Sequence, residues 1–264
     1  MTTASPDLPF PPIPEGDIAL FLDIDGTLLE HAAHPDAVVV SDELRGLLAG
    51  LEARLDGALA LVTGRSIAAA DRLFQPLRMV AAGLYGLEHR LALDGPVEAA
   101  GEPEDIAALA REIEADLRDR SVYIERKGPI LAVHTRGAPH LLQRATQLIE
   151  QAAARLPGNY RALAGNAGVE LMPLNAVKGA AIRRLMDLPA FRGRRPAFLG
   201  DDSSDETGFE AVNDMGGLSI RVKPRGPTAA RHAVAGVAEV LAWLDDLLQG
   251  DRDDVGVRAT ARRS

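Results

Sequence analysis

The stretch FLDIDGTLLE, residues 21–30, ends a short apolar run with two aspartates, Asp23 and Asp25. A continuous apolar run of this length, bounded by polar residues, is typical of a strand that is buried on both faces of a parallel sheet. A carboxylate without a partner at the edge of a core is unfavourable. The two aspartates therefore either form a turn or helix cap or carry out chemistry, and the rest of the chain decides between these interpretations.

The composition limits the classes of function. The 264 residues allow one large domain or two modest ones. A net charge of −9, with basic residues grouped only in a short C-terminal tail, argues against a nucleic-acid or membrane partner. The absence of cysteine excludes disulfides and zinc–thiolate sites. We see no signal-peptide pattern and no apolar run near the roughly 20 residues of a membrane span, so we expect a cytoplasmic protein.

Strand and helix patterns alternate in two parts of the chain. Predicted strands cover residues 17–25, 57–66, 195–202 and 218–222, and residues 79–93 read as a strand, a turn and a second strand. Predicted helices cover residues 41–55, 67–74, 177–187, 205–213 and 236–250. This alternation predicts an α/β fold with a doubly wound, mainly parallel sheet. Such sheets bind ligands beyond the carboxyl ends of their strands.

The pattern changes in the middle of the chain. Residues 103–173 read as a helix, two strands, a second helix and two more strands, which predicts an inserted α+β cap domain. Residues 17–102 and 174–250 then form the core domain that carries the parallel sheet. The Pro-rich lead, residues 1–16, is predicted to be flexible, and the polar tail, residues 251–264, is predicted to be disordered.

Polar groups follow the predicted core strands, and a lysine opens the helix after the insertion. These groups are Asp23, Asp25, Thr63, Gly64, Arg65, Lys178, Asp201, Asp202 and Asp205. Taken singly, each has an ordinary interpretation as a cap, a turn, an acidic loop or a solvated lysine. Together they should meet at one sheet edge, where three or more carboxylates need a cation, and Mg²⁺ prefers such oxygen ligands. This set of groups suits phosphoryl transfer, which depends on neutralising the charge of the phosphoryl group and on positioning the reacting atoms.

Four motifs carry a resemblance to a known superfamily over about residues 17–248. DIDGT, TGR, the Lys178 of VKG and GDDSSDE resemble, in this order, the motifs of the haloacid-dehalogenase-like phosphatases. Within that superfamily, GLYGLEHR, ERKG and VELMP are similar to the trehalose-6-phosphate phosphatase family. The resemblance implies a Rossmannoid core with an inserted cap. It also implies Mg²⁺-dependent hydrolysis of trehalose 6-phosphate to trehalose and phosphate through an aspartyl phosphate.

The resemblance also implies roles for individual residues. Asp23 is the nucleophile, Asp25 is the general acid and then the general base, and Thr63 and Lys178 hold the phosphoryl oxygens. The implied magnesium site consists of Asp23, the backbone carbonyl of Asp25, Asp201 and Asp205, with Asp202 as a supporting residue. The implied substrate contacts come from Asp23, Ile24, Asp25, Gly64, Arg65, Glu125, Lys127, Glu170, Asp201 and Asp202.

The cap residues have two interpretations. Glu125 and Lys127 occupy alternate positions of a predicted strand and so share one face, and Glu170 lies on another predicted strand. The resemblance implies that they bind the distal sugar, whereas without it they would be read as solvated charges.

Two alternative functions stay open. The same chemistry could act on another sugar phosphate, such as sucrose phosphate or a glycosylglycerate phosphate. A non-catalytic phosphatase-like module that regulates a synthase is disfavoured, because Asp23, Asp25 and Lys178 are all present. The expected partners are a small-molecule sugar phosphate and a trehalose-6-phosphate synthase of the same pathway, with neither nucleic acid nor membrane.

Overall fold

The computed structural model describes residues 8–31, 39–99, 101, 103–156, 160–165 and 167–250. The chain divides into two compact units, and the boundaries follow Val97 and Ala176. We call residues 98–176 the inserted unit and the remainder the core unit. The predicted disordered tail and the first seven residues of the predicted flexible lead lie outside the described residues.

The elements follow one another in chain order. The core unit begins with β1 (Ile18–Leu22), α1 (Asp42–Arg54), β2 (Leu59–Val62), α2 (Ile67–Phe74), β3 (Val80–Gly83) and β4 (Glu88–Arg90). The inserted unit contains β5 (Glu98–Ala99), α3 (Glu104–Leu117), β6 (Tyr123–Lys127), β7 (Ile130–His134), α4 (Leu142–Arg155), β8 (Tyr160–Gly165) and β9 (Gly168–Pro173). The core unit resumes with α5 (Lys178–Met186), β10 (Arg195–Gly200), α6 (Glu206–Asp214), β11 (Leu218–Val222), β12 (His232–Val234) and α7 (Val237–Gln249).

The core sheet places β1 at its centre. The strands of the core unit lie in the order β12-β11-β10-β1-β2-β3-β4, and β1 runs parallel to both β10 and β2. All five residues of β1 are buried, as expected for a strand that is covered on both faces. The prediction of a doubly wound, mainly parallel sheet is confirmed.

The strand register brings the polar groups to one edge. Leu22 lies beside Leu61 on one side and beside Leu199 on the other. The residues that follow β1, β2 and β10 therefore leave the sheet at the same end, which is the ligand-binding edge of this architecture.

Strand β1 is shorter than the predicted strand over residues 17–25. The amide of Asp23 still donates to the carbonyl of Leu199 on β10 at 3.1 Å. The chain then turns, because the carbonyl of Ile24 accepts hydrogen bonds from the backbone amides of residues 27–29 at 2.9–3.3 Å. Asp23 therefore lies at the last contact with the neighbouring strand, and Asp25 lies where the turn begins. The short strands β5 and β12 were not predicted, since two or three residues give no readable alternation.

The described part of the lead lies along β12 and α7. The carbonyl of Pro9 accepts a hydrogen bond from the amide of Ala233 at 3.1 Å, and the carbonyl of Pro12 accepts one from the indole nitrogen of Trp243 at 3.3 Å. Trp243 itself is fully buried on α7.

Among the described helices, none combines the length and the apolar content that crossing a membrane requires.

The inserted unit is an antiparallel sheet with two helices on one face. Its strand order is β6-β7-β9-β8. Alternate residues such as Leu131, Val133 and Val169 join Ile106 of α3 and Ile149 of α4 in a second apolar cluster. The remaining positions of the strands, which carry Glu125, Lys127 and Glu170, therefore belong to the opposite face.

We expect the ion pair between the buried Arg90 of β4 and the partly exposed Asp71 of α2 to stabilise the β3–β4 hairpin. The guanidinium of Arg90, 1% exposed, donates to both carboxylate oxygens of Asp71 at 2.6 and 2.7 Å and to the carbonyl of Met79. Asp71→Ala should lower the free energy of unfolding by about 3 kcal/mol, because it leaves a buried charge without its partner. Chemical denaturation measures this change.

The exposed pair of Arg183 with Asp214, at 2.6 Å, is the matched control. Asp214→Ala should leave the stability close to that of the wild type, because exposed pairs contribute little. Equal effects of the two substitutions would contradict the assignment of a structural role to Arg90.

Candidate active site

A tight turn brings the first aspartate beside the loop after β10. Gly26 has a φ of +81°, which favours glycine. A Cβ atom at this position would overlap the carboxylate of Asp201. The glycine of DIDGT thus allows the turn after β1 and the loop after β10 to approach closely.

A buried lysine joins two of the predicted acidic residues. The Nζ atom of Lys178 donates to Oδ1 of Asp23 at 2.8 Å and to Oδ1 of Asp205 at 2.6 Å. The three side chains are 2%, 7% and 0% exposed, respectively. One ammonium group is therefore shared between two carboxylates, and the buried cluster holds more negative than positive charge.

The pKa values of the cluster reflect this imbalance. Burial raises the pKa of Asp23 well above its ordinary value and raises that of Asp205 to about 6. Burial acts to lower the pKa of Lys178, but the neighbouring carboxylates of Asp205 and Asp23 outweigh it and raise the pKa. The lysine thus stays charged, and a second cation would favour the ionised form of both carboxyls.

The donor set fits a divalent metal ion. Carboxylate oxygens of Asp23, Asp201 and Asp205 lie within 4.8 Å of one another, and oxygen ligands of this kind suit Mg²⁺ or Ca²⁺. The Oδ2 atom of Asp205 also accepts hydrogen bonds from the backbone amides of Asp201 and Asp202, at 2.9 and 3.0 Å. Asp205 therefore orients the loop that carries Asp201.

Asp25 lies in a separate ion pair. Arg65 donates from Nε and from one terminal nitrogen to the two Asp25 oxygens, both at 2.7 Å. The backbone amide of Arg65 in turn donates to the hydroxyl of the buried Thr63 at 3.1 Å. The DIDGT and TGR turns are thus linked by a two-point contact.

His31 was not predicted, and Asp202 has a structural contact besides its predicted role. His31 hydrogen-bonds to Oδ2 of Asp201 at 2.9 Å, which raises the pKa of the imidazole. Its position eight residues after Asp23 was the available signal. The Oδ1 atom of Asp202 accepts from the amide of Ser204 at 2.7 Å, so this predicted substrate-binding residue also caps a short helical turn.

The inserted unit brings its three predicted residues together. Lys127 Nζ lies 2.7 Å from Oε1 of Glu170 and 4.0 Å from Oε2 of Glu125. Ala132 of β7 pairs with both glutamates, so the two acids flank it on one face of the sheet. His134, which was not predicted, approaches the same Glu125 oxygen at 3.0 Å.

The predicted residues thus fall into two groups. The core unit holds Asp23, Ile24, Asp25, Thr63, Gly64, Arg65, Lys178, Asp201, Asp202 and Asp205, and the inserted unit holds Glu125, Lys127 and Glu170. Ile24 has its side chain buried in the core, so only its backbone could reach a substrate.

Comparisons with known proteins agree on one family. The trehalose-phosphatase family model matches residues 21–237. The chain is 42% identical over 235 residues to a probable trehalose-phosphate phosphatase of Sinorhizobium fredii, covering 86% of this chain and 88% of the relative. It is 39% identical over 239 residues to the trehalose-6-phosphate phosphatase of Escherichia coli, covering 86% and 85%. The crystal structure of a trehalose-6-phosphate phosphatase related protein aligns with a TM-score of 0.67 and 26% identity, covering 92% and 99%.

The raised carboxyl pKa values predict how metal binding depends on pH. Below about pH 6 the folded, metal-free cluster retains a proton at Asp205, and this proton must leave before a metal binds. The stability contributed by that proton is present at low pH and is lost as the pH rises through about 6. Mg²⁺ at 100 times its Kd should stabilise the fold by about 2–3 kcal/mol at neutral pH and by less at about pH 5.

Thermal denaturation with and without Mg²⁺ at both pH values measures this difference in Tm. Asp201→Asn, which removes one candidate ligand, should reduce the Mg²⁺ effect at neutral pH. An Mg²⁺ effect of the same size at the two pH values would show that the raised carboxyls do not form the metal site.

Proposed function

Since the chain belongs to the trehalose-phosphatase family, we propose that it hydrolyses trehalose 6-phosphate to trehalose and inorganic phosphate. We further propose that Mg²⁺ is the cofactor and that an aspartyl phosphate forms during the reaction. The observation that supports this most directly is the buried cluster of Asp23, Lys178 and Asp205 beside Asp201 at the carboxyl edge of the core sheet.

In the first half of the proposed reaction, Asp23 is the nucleophile. One carboxylate oxygen forms a bond to phosphorus as the bond from phosphorus to the sugar oxygen breaks, and Asp25 gives the departing oxygen its proton. Lys178 holds Asp23 at 2.8 Å and provides positive charge where a dianion approaches. Mg²⁺, when bound by Asp23, Asp201 and Asp205, would neutralise the phosphoryl charge during attack.

In the second half, water releases the phosphate. Asp25, now a carboxylate, takes a proton from water, and the resulting oxygen attacks the phosphorus of the aspartyl phosphate. The bond between phosphorus and Asp23 breaks, and the free carboxylate is restored. We propose that Thr63 and Gly64 help to hold the phosphoryl oxygens, and that Arg65 positions Asp25 between its two proton transfers.

We propose that the inserted unit recognises the distal glucose. Glu125 and Glu170 offer acceptors for sugar hydroxyls, and Lys127 offers a donor between them. Hydrogen bonds to charged groups contribute about 1.5–3 kcal/mol each. The synthase partner and the cytoplasmic location remain predictions.

Phosphate release from a panel of esters tests the proposed activity. We expect Mg²⁺-dependent hydrolysis with a clear preference for trehalose 6-phosphate over sucrose 6-phosphate, glucose 6-phosphate and p-nitrophenyl phosphate. Asp23→Asn should fold normally and lose turnover by several orders of magnitude, because an amide is a poor nucleophile toward phosphorus. Circular dichroism serves as the control for folding.

Each possible failure removes a different part of the proposal. Equal rates on trehalose 6-phosphate and sucrose 6-phosphate would contradict the substrate assignment. Steady-state turnover by a folded Asp23→Asn variant would contradict the covalent mechanism. Full activity after thorough removal of divalent ions would contradict the metal.

Substitutions in the inserted unit should lower activity toward one substrate and leave activity toward another unchanged. Glu125→Ala, Lys127→Ala and Glu170→Ala should each lower kcat/KM for trehalose 6-phosphate about 10- to 150-fold, from the energy of one charged hydrogen bond. The same substitutions should leave p-nitrophenyl phosphate hydrolysis nearly unchanged, because that ester has no second sugar. Steady-state kinetics on both substrates provide the measurement.

Arg144→Ala is the matched control, since it removes an exposed ion pair with Asp116 from the same unit. We expect it to leave both rates unchanged. Parallel losses on the two substrates would indicate that the three residues support the fold instead of binding sugar.

A further inference from the structure

The loop between β3 and β4 has an unusual backbone. Leu84, Tyr85 and Gly86 all have positive φ, at +48°, +57° and +98°. Residues with a side chain visit this left-handed region rarely, and usually one at a time. We call residues 84–86 the left-handed turn. Two consecutive residues with side chains would not hold this conformation unless the surroundings fixed it.

Hydrogen bonds tie the left-handed turn to the TGR motif. The amide of Leu84 donates to the carbonyl of Arg65 at 2.9 Å, and the amide of Tyr85 donates to the carbonyl of Thr63 at 3.0 Å. A Cβ atom at Gly64 would lie 2.6 Å from both Cζ and the hydroxyl oxygen of Tyr85. The phenol ring therefore lies directly on Gly64, and any larger residue there would displace it.

The same turn contacts the helix that begins with the buried lysine. Lys178 Nζ lies 5.9 Å from the centre of the Tyr85 ring, within the range of a cation–π contact. A Cβ atom at Gly86 would lie 3.0 Å from Cβ of Ala181, one turn further along α5. The left-handed turn thus contacts both the TGR motif and the first turn of α5.

We propose that Tyr85 is a positioning residue that sets the distance between the TGR turn and Lys178. In the proposed function, on which this inference rests, the TGR turn holds the phosphoryl oxygens and Lys178 provides positive charge beside them. The ring occupies the space between Gly64 and the ammonium group, so its loss lets the two move relative to each other. The strained backbone directs the ring into that space.

Three variants test the role. Tyr85→Gly removes the ring and also relieves the positive φ. Tyr85→Phe keeps the ring. Asp56→Gly relieves a comparable positive φ, +50°, at a side chain that is 98% exposed and belongs to no part of the site.

We expect Tyr85→Gly to lower kcat/KM about 10- to 100-fold, because small displacements of positioning groups have effects of this size. The loss should be equal for trehalose 6-phosphate and p-nitrophenyl phosphate and should appear mainly in kcat. Tyr85→Phe should keep kcat and kcat/KM close to their wild-type values, and Asp56→Gly should leave both unchanged. Tm should stay near the wild-type value for all three.

A loss confined to trehalose 6-phosphate would overturn the inference, because Tyr85 would then be a sugar contact. Wild-type kcat with Tyr85→Gly, or a loss matched by a large fall in Tm, would overturn it too. Double variants add a second test, because Gly64→Ala should cause little further loss once Tyr85→Gly has removed the ring. Losses that multiply would show that the two positions act independently.

Binding of inorganic phosphate separates this inference from the proposed function. Calorimetric titration in the presence of Mg²⁺ measures the phosphate site without turnover. Tyr85→Gly should weaken phosphate binding, whereas Asp56→Gly should not. Wild-type protein that hydrolyses no phosphate ester would contradict the proposed function, while unchanged phosphate affinity in Tyr85→Gly would contradict the positioning role alone.

Discussion

The structure depends on one ammonium group that two buried carboxylates share. Lys178 reaches Asp23, which lies 155 positions earlier in the chain, and Asp205, which lies 27 positions later. A buried lysine is tolerated only where its charge is paired, so the end of β1, the start of α5 and the loop after β10 must meet. Strand order and register serve this requirement, because they bring the three segments to the same edge of the sheet.

Because two carboxylates share one ammonium group, the buried cluster keeps a net negative charge. This negative charge favours the binding of a metal ion. A site with a full complement of cations would be more stable without a metal and would bind one less well. Arg65 does not make up the difference, since it is engaged with Asp25 at 2.7 Å. The arrangement places the proposed nucleophile, Asp23, and the proposed acid, Asp25, on different cationic partners.

Much of the core could be predicted from the sequence, because its signals are local. The apolar run before Asp23 predicts a central strand, and Ser41 begins α1 with the hydrogen bond expected of a cap, from the amide of Leu44. The acidic motif after β10 and the lysine at the start of α5 also stand at recognisable points of the alternating pattern.

The missed features depend on tertiary contacts. The burial of Trp243 on α7 was not predicted, and it depends on a segment far away in the chain, because the indole nitrogen reaches the carbonyl of Pro12. The contact of His31 with Asp201 and that of Tyr85 with Gly64 join residues whose spacing shows no periodicity. A left-handed backbone at a leucine and a tyrosine also contradicts local preference, so no propensity argument would have found it.

The central position of β1 has a consequence for how the chain folds. One neighbour, β2, follows within about 40 residues, but the other, β10, pairs Arg195 with Ile18 across 177 residues. During synthesis β1, the strand that precedes Asp23, is made early and keeps one edge unpaired until β10 is made after the whole inserted unit. An apolar strand with an open edge is a site of mispairing between chains. A chain that stopped after the inserted unit would lack β10, so the edge of β1 would stay open to mispairing. It would also lack Lys178, which neutralises Asp23. The same truncation would therefore cause both aggregation and loss of the site.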